Sequence, residues 1–409
     1  MAIDNKDKKV LKSSIEREQN EVACSAECEK IKGSKNLNVP HLRFPEFSGE
    51  WDSFKLVELG KFIGGGTPSS SNLSFWTGSI PWISSSDIKE DNINNISISR
   101  YITEDAIEKS ATKYCPAPVI LIVSRVGVGK VALSHTSLCT SQDFCNIIDI
   151  KCHPVFLSYN LLRTMKRKSR EVQGTSIKGI TSDELQKIRV FIPKNKDEQN
   201  KISNLLTLLD ERIVTQNKII EDLKKLKSAI SERLFKGIEG SFVLLSDICD
   251  IVKGKQINGE NLSESGNYYV MNGGTEPSGY YGDYNVDANA ISISEGGNSC
   301  GYVQFNTSPF WSGGHCYSIQ NIADNVNNLY LYHYLKSNED VIMKLRIGSG
   351  LPNIQKKDLA MFKIKVPAIE QQITISTFLS SLERKAEIEE RIQNAMLKEK
   401  QYLLHQMFI

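Results

Sequence analysis

Two stretches of the chain carry apolar residues at the spacing of a long helix. Residues 198–235 read EQNKISNLLTLLDERIVTQNKIIEDLKKLKSAISERLF, and residues 371–408 read QQITISTFLSSLERKAEIEERIQNAMLKEKQYLLHQMF. Most apolar positions are three or four residues apart, which places them on one side of an α-helix. Neither stretch contains Pro or Gly. Each therefore predicts a helix of about 38 residues, roughly 57 Å long.

A helix of this length with an apolar stripe needs a packing partner in water. We expect the two helices to pack against each other as an antiparallel pair, an intramolecular coiled coil. That they only oligomerise the protein is the alternative. The residues expected at the helix contact share the apolar spacing and are Ile202, Leu206, Leu209, Ile213, Ile220, Leu223, Ile375, Leu379, Leu382, Ile392, Met396 and Leu403.

The segments that precede the two helices also match each other, in the same order. LVELGKFIGGG (56–66) resembles LSDICDIVKGK (245–255). Three further matches join 120–129 to 290–299, 141–148 to 312–319, and 174–193 to 348–367. With the helices, the matches in one order indicate an internal duplication.

Within each half, short runs rich in β-branched residues, such as ILIVS and KIRVFI, predict strands. Clusters of Gly, Ser, Asn and Pro between them predict loops. The expected fold class is α+β: two similar domains separated by two long antiparallel helices, in a pseudo-twofold internal repeat. The predicted boundaries are a polar tail 1–38, a first domain 39–194, a central helix 195–237, a second domain 238–368 and a C-terminal helix 369–409.

Composition narrows the function classes only a little. The net charge of +2 over 409 residues does not indicate a globally basic nucleic-acid binder, so any basic DNA contact must be local. The longest apolar run, APVILIV, is far shorter than the roughly 20 residues of a membrane span. The charged start MAIDNKDKK is unlike a secretory signal. We therefore expect a cytoplasmic protein with no membrane partner.

The sequence lacks the motifs of the catalytic classes that it could otherwise join. An adenine methyltransferase holds its flipped base with a Pro-Pro-aromatic motif, and the chain has no Pro-Pro dipeptide. RVGVGKV (125–131) lacks the first glycine and the Ser or Thr of a phosphate-binding loop. The nine cysteines have no paired metal-ligand spacing. We expect a noncatalytic chain with neither cofactor nor metal, and reduced thiols.

DNA sequence is read by donors at base edges, while further donors contact phosphates. RTMKRKSR (163–170) has five basic residues in eight and is a candidate for phosphate contact, with a solvated helix face as the alternative. In the first domain the DNA-binding candidates are Thr67, Ser69, Ser70, Ser84, Ser85, Arg125, Lys130, Gln142, Arg163, Lys166, Arg167, Lys168 and Lys178. In the second domain they are Asn272, Tyr280, Tyr281, Asn298, His315 and Arg346.

The chain resembles the DNA-specificity subunit of type I restriction–modification systems over residues 39–409. The resemblance rests on LRFPEFSGEW, on GGGTPS followed by IPWISSSDI, and on NGGTEPSGYYG, ISISEGGNSCGYV and FWSGGHCYSI. It implies two target-recognition domains that each read half of a bipartite DNA target, and helices that space them and dock a methyltransferase. The divergence of GGGTPS from NGGTEPSG predicts an asymmetric target.

The same resemblance implies the partners. They are double-stranded DNA, two modification methyltransferase subunits that carry S-adenosylmethionine, and, in the full complex, two restriction subunits that use ATP and Mg. Two other functions remain open on the sequence alone: a solitary DNA methyltransferase with its own reader domain, and a coiled-coil scaffold that binds only protein.

Overall fold

The computed structural model describes residues 38–173, 179–348 and 352–409, with the side chains of 171–173 left out. All but the last residue of the predicted tail 1–38, and the DNA-binding candidate Lys178, lie outside the described residues. The chain divides into two compact units. One runs up to Arg212 and also includes Met396–Ile409, and the other is Ile213–Ala395.

The described residues of the first unit form three small sheets and four α-helices before the first long helix. Its strands are β1 Asp52–Lys55, β2 Lys61–Gly64, β3 Ile80–Ile83, β4 Arg100–Ile102, β5 Tyr114–Cys115, β6 Val119–Ile122, β7 Val131–Ser134, β8 Leu138–Thr140, β9 Cys145–Ile148 and β10 Arg189–Ile192. Its helices are α1 Leu56–Leu59, α2 Glu104–Glu108, α3 Pro154–Gln173 and α4 Ser182–Lys187, followed by the long helix α5 Lys196–Gly237. The sheet orders are β1-β10, β2-β9-β6-β7 and β4-β3-β8-β5.

The second unit has the same plan. Its strands are β11 Ser241–Leu244, β12 Asp250–Lys253, β13 Tyr268–Met271, β14 Tyr280–Tyr281, β15 Ala290–Ser294, β16 Val303–Asn306, β17 Trp311–Ser312, β18 Cys316–Gln320 and β19 Lys363–Val366. Its helices are α6 Leu245–Ile248, α7 Asn328–Ser337, α8 Glu339–Met343 and α9 Lys356–Ala360, followed by the long helix α10 Ile369–Gln406. The sheet orders are β11-β19, β12-β18-β15-β16 and β14-β13-β17. The mixed α+β class and the duplication are therefore confirmed.

The strand pairing shows that the sequence matches around β6 and β9 are offset by one residue from the structural correspondence of the two units. Gly64 pairs with Cys145, whereas its counterpart Lys253 pairs with Tyr317 and not with Cys316. The β6–β9 and β15–β18 pairs likewise make Ile291, rather than Ala290, the counterpart of Ile120. Because a slip of one residue turns every side chain to the other face of a sheet, burial and pairing fix the register. Matching residue types, such as Cys145 and Cys316, do not fix the register.

The predicted helix-packing residues divide into three groups. Ile202, Leu206, Ile213, Ile220, Ile375 and Leu379 are buried. Leu209, Leu223, Leu382, Met396 and Leu403 are half-buried. Ile392 is 40% exposed, so its predicted place in the buried helix contact is wrong.

Polar side chains account for the exposure of Ile392. In the second unit the Gln216 side-chain amide donates to the Glu389 carboxylate at 2.6 Å and to the Glu389 carbonyl at 3.1 Å. One turn further along α10, Gln393 donates to Asn217. As residue numbers increase along α5, the numbers of the α10 residues that they contact decrease, from Gln216–Glu389 to Lys227–Glu383. The two helices are therefore antiparallel within this unit.

Apolar residues near the start of each long helix are buried in the core of a domain. Ile202 and Leu206 belong to the cluster around Trp51, which also contains Met407 and Phe408 from the other end of the chain. Ile375 and Leu379 belong to the core of the second domain. The apolar stripe thus joins each helix to a domain, which helical spacing alone could not reveal.

One ion pair between the long helices occurs at matching positions in both units. Lys400 pairs with Asp210 in the first unit, and Lys227 pairs with Glu383 in the second. Each residue of one pair has its counterpart in the other at the 173-residue separation that also relates Gln216 to Glu389. The two environments differ, because the Lys400 and Asp210 side chains are 4% and 3% exposed, against 21% and 29% for Lys227 and Glu383.

The second unit should lose stability in mild acid through His333. His333 lies buried in α7 with Nε2 at 2.9 Å from Ser380 Oγ, and burial lowers its pKa to about 4. The unfolded chain, with a histidine pKa near 6.5, takes up the proton first, so stability is full above pH 6.5 and falls towards pH 4, by up to about 3 kcal/mol. Urea unfolding of the full chain between pH 7 and pH 4.5 measures this slope.

Substituting His333→Gln should flatten the pH dependence of unfolding, whatever its effect at pH 7. Substituting the exposed His135→Gln in the first unit is the matched control and should leave the slope unchanged. Equal slopes for the wild type and His333→Gln would contradict the assignment.

Candidate nucleic-acid interface

A pair of parallel strands brings polar loops together in the first unit. Strands β3 and β8 pair in parallel, with Trp82 opposite Cys139. The segments that follow them, 84–87 and 141–143, therefore leave the sheet at the same edge. The amide of Ser141 donates to the Ile83 carbonyl at 2.9 Å and holds the two exits side by side.

The loop after β2 is fixed to this edge. The Gly66 carbonyl accepts hydrogen bonds from Trp82 Nε1 at 3.0 Å and from the Thr112 hydroxyl. A Cβ at Gly66 would lie 2.2 Å from the Ala111 carbonyl oxygen, so only glycine fits. Next to it, the Thr67 hydroxyl donates to the Gln142 side chain. The structure thus brings Thr67 and Gln142 together and leaves Ser69 and Ser70 exposed on the same loop.

Arg100 organises the turn 84–87 and is absent from the sequence-based candidates. Its guanidinium lies over the Trp82 ring at 4.5 Å, donates to Ser84 Oγ at 2.7 Å and pairs with Asp87. Lys130 Nζ donates to the Ser85 carbonyl at 3.2 Å. Three of the DNA-binding candidates, Ser84, Ser85 and Lys130, are therefore neighbours.

Arg125 belongs to the same cluster. It is exposed in the loop between β6 and β7. The preceding Ser124 amide donates to the Asp143 carbonyl at 2.8 Å, and the Ser124 carbonyl accepts from Ile180 at 2.7 Å. These bonds attach the Arg125 loop to the segment that carries Gln142.

The basic residues of α3 lie against the last turns of α10 instead. Arg163 donates to the Ile409 carbonyl at 2.7 Å, and Lys166 pairs with Asp91 at 2.8 Å. Burial, together with the neighbouring Arg167, lowers the pKa of Arg163. Arg167 is exposed and Lys168 is half-buried. Their contact with DNA stays a prediction.

The second unit repeats the arrangement with different side chains. Strands β13 and β17 pair in parallel, with Val270 opposite Trp311. Asn272, just after β13, accepts a bond from the His315 amide at 3.1 Å. The His315 carbonyl accepts from Glu295 at 2.9 Å, at the start of the loop that carries the exposed Asn298. Asn272, Asn298 and His315 are thus on connected loops.

Aromatic side chains lie beside these loops. Tyr281 packs edge-on against Trp311 with ring centroids 5.1 Å apart, and Tyr280 is half-buried next to it. Trp311 Nε1 donates to the Lys255 carbonyl at 2.9 Å, the counterpart of the bond from Trp82 to Gly66. Trp82 lies on the first strand of its parallel pair, β3, whereas Trp311 lies on the second strand of its pair, β17.

Arg346 is exposed and precedes the bridge between Ile347 and Asn353. Ile354 follows that bridge, and its amide donates to the Glu295 carbonyl at 2.8 Å. This contact links the segment that bears Arg346 to the loop that bears Asn298.

Glu295 is a second group that sequence reasoning missed. Its buried carboxylate accepts from Lys253 Nζ at 2.7 Å and from the Tyr317 hydroxyl at 3.1 Å. Burial and Glu295 together raise the pKa of Tyr317. In the corrected register Glu295 is the counterpart of Ser124, so the two loops have different charges at the same place. Arg100 lies outside the motifs quoted for the resemblance. Glu295 lies within one of them, ISISEGGNSCGYV, but no pattern there marks a role for its carboxylate.

Within 38–173, 179–348 and 352–409 there is no group of three His, Cys, Asp or Glu side chains arranged to hold a metal ion. Burial raises the pKa of Cys139, for example, to about 12, which keeps that thiol protonated. In the part of the chain that the structure describes, no helix is long and apolar enough to cross a membrane.

Comparison with known sequences points to one family. A family model described as "Type I restriction modification DNA specificity domain" matches residues 48–225 and 239–398. The type I restriction enzyme MjaIX specificity subunit of Methanocaldococcus jannaschii is 32% identical over 199 residues, 46% of this chain and 45% of that protein. The EcoR124I/EcoR124II specificity subunit of Escherichia coli is 34% identical over 192 residues, 45% and 46% of the two chains. The matched part spans about half the length of these curated relatives.

Solved structures show the same fold. The crystal structure of a type I restriction–modification S subunit from M. genitalium matches with a TM-score of 0.63 at 20% identity, covering 91% of this chain and 99% of that one. A chain from a study of complex assembly and conformational transition of the type I restriction–modification system matches with a TM-score of 0.57 at 17% identity, covering 90% and 98%.

Proposed function

Because the chain belongs to the type I restriction–modification DNA specificity family, we propose that it selects the DNA target for a partner methyltransferase and forms no covalent bond itself. Its target is bipartite and asymmetric, and each domain reads one half. Bound to restriction subunits as well, the same reader directs DNA cleavage.

The duplicated loop cluster carries this proposal. Among the described residues, each unit has one parallel strand pair, and polar side chains meet at the edge where those strands end. Hydroxyl, amide, guanidinium and ammonium groups of this kind bind base edges and phosphates. Since the clusters carry different side chains at matching places, such as Ser124 in one and Glu295 in the other, the two half-sites should differ in sequence.

The long helices supply surfaces for two modification subunits. Ile219 on α5 and Ile392 on α10 are counterparts in the repeat, and each is 40% exposed. Apolar side chains exposed on both copies of a repeated helix favour two copies of one partner. S-adenosylmethionine then belongs to the methyltransferase subunits, and ATP and Mg to the restriction subunits. Location in the cytoplasm stays a prediction.

Reconstitution with the cognate methyltransferase tests the proposal. We expect sequence-specific adenine methylation only when both proteins are present, and S-adenosylmethionine binding only by the methyltransferase. Equilibrium dialysis and methyl transfer to a plasmid measure the two results. Methyl transfer by the isolated chain, or equal target choice by the methyltransferase alone, would overturn the proposal.

Single substitutions in the loops should affect one half-site each. Arg125→Ala and Asn298→Ala are each expected to weaken binding of the cognate target by about 1–3 kcal/mol and to relax base preference in one half only. The control is Arg189→Ala, an exposed arginine of β10 that contacts Ser53. Methylation competition between targets altered in one half measures the preference. Unchanged preference at both halves would refute the assignment of these two residues.

A further inference from the structure

The first unit contains a groove that the DNA-reading loops do not use. It has a volume of about 290 Å³ and lies between α3 and the last turns of α10. Arg163, Lys166, Arg167 and Arg170 line one side, and Lys400 and His405 line the other. The acidic member of the lining is Asp91, which is already paired with Lys166. Within the described part of the chain, Arg167 and Arg170 have no ion-pair partner.

The groove is also apolar. Leu162, Leu397 and Leu404 line it together with the basic side chains. A DNA backbone offers charged phosphates to the rim and little that would cover three leucines. An occupant that fits both features has apolar side chains next to several carboxylates, as a peptide segment can have.

The chain itself holds such a segment. Residues 15–29, IEREQNEVACSAECE, contain five glutamates against one arginine, with Ile15 and Val22 among them. It is the most acidic stretch of residues 1–37, because the remaining charges there are seven lysines and two aspartates. Its composition complements a basic groove with an apolar lining.

The described chain begins beside the groove. The Leu42 amide donates to the Gln406 carbonyl at 2.9 Å, and the neighbouring His405, Leu404 and Gln401 line the groove. Asn38 is held close by, because its carbonyl accepts from Trp51, whose ring packs on Phe408. The eight residues between 29 and 38 span up to about 30 Å when extended, which is ample for residues 15–29 to reach the groove.

We propose that residues 15–29 of this chain occupy the groove between α3 and α10, with glutamates at the arginines and an apolar side chain at the leucines. The bound segment shields Arg167 and Arg170 from nonspecific contact with polyanions. This goes beyond target selection. Its test needs neither DNA nor a partner subunit, so its failure and the failure of the proposed function are distinguishable.

Carbodiimide cross-linking of the full chain, mapped by mass spectrometry, tests the proposal. The Lys166–Asp91 pair, at 2.8 Å, supplies an internal positive control. We expect an additional cross-link from Glu16, Glu18 or Glu21 to Lys166. The double substitution Arg167→Ala and Arg170→Ala should reduce its yield by about tenfold, as expected for the loss of two exposed ion pairs, and should leave the control cross-link intact.

Two further comparisons complete the test. Glu16→Gln, Glu18→Gln and Glu21→Gln together should abolish the cross-link, whereas the same change at the exposed Glu239, Glu260 and Glu264 should not. A mixture of isotope-labelled and unlabelled chains should give cross-links within one chain. Cross-links between a labelled and an unlabelled chain would mean that the segment of a second copy occupies the groove. Detection of the control cross-link alone would mean that residues 15–29 do not occupy it. Either result would overturn the proposal.

Discussion

Substituting Lys400→Met should lower the free energy of unfolding by about 3–5 kcal/mol, the usual cost of removing one partner from a buried ion pair. Lys400 and Asp210 are both almost fully buried, and Asp210 also accepts from the Tyr159 hydroxyl at 2.8 Å. Lys400 donates in addition to the Asp91 carbonyl. Removal of the ammonium leaves a buried carboxylate without its charge partner. The free energy that it costs to bury this carboxylate is then no longer offset by an ion pair.

The repeat provides the matched control for this experiment. Lys227→Met breaks the counterpart pair with Glu383, which is partly exposed, and should cost about 1 kcal/mol or less. The double change Lys400→Met and Asp210→Leu should recover much of the loss, because it removes both buried charges. Urea denaturation of the full chain measures all three. A loss for Lys400→Met no larger than that for Lys227→Met would show that the buried pair does not stabilise the protein.

Substituting both Ile219→Glu and Ile392→Glu should abolish assembly with the modification subunits, while either change alone should leave one subunit bound. Each isoleucine is exposed at the same place in its copy of the helix. A charge at the centre of an apolar contact costs about 2 kcal/mol or more, roughly thirtyfold in affinity. Mass measurement of the purified complex by light scattering distinguishes two, one and no bound subunits.

The sequence offers a control for this prediction too. Val214 is 48% exposed on α5, and its counterpart on α10 is Glu387. Val214→Glu therefore introduces the residue that the other surface already has, and should leave two subunits bound. Loss of both subunits on a single isoleucine substitution would contradict two independent docking surfaces.

Spacing along the chain predicted the parts of the fold that depend on local sequence. The apolar periodicity and the absence of Pro and Gly indicated both long helices, and the structure has them at Lys196–Gly237 and Ile369–Gln406. The ordered matches indicated the duplication. Both properties follow from short-range rules, because helix formation and repeat order are read from neighbouring residues.

Pairing between distant segments was beyond those rules. The one-residue shift around β9 depends on which side chain faces the core, and Cys145 and Cys316 looked alike by letter alone. Ile392 fits the helical stripe, yet Gln216 and Glu389 form the contact at that level. Arg100 becomes visible only when β4 lies beside Trp82. The structure brings several of the candidate residues at the loops together, and their DNA contacts remain predictions.

Methylated-base mapping tests the central claim most directly. The genome of a host that expresses this chain with its methyltransferase is compared with the genome of a host that expresses the methyltransferase alone. Two target-reading units predict a new methylated motif of two short, different half-sites separated by a fixed gap of undefined bases. Unchanged methylation from an assembled, active complex would contradict target selection by this chain.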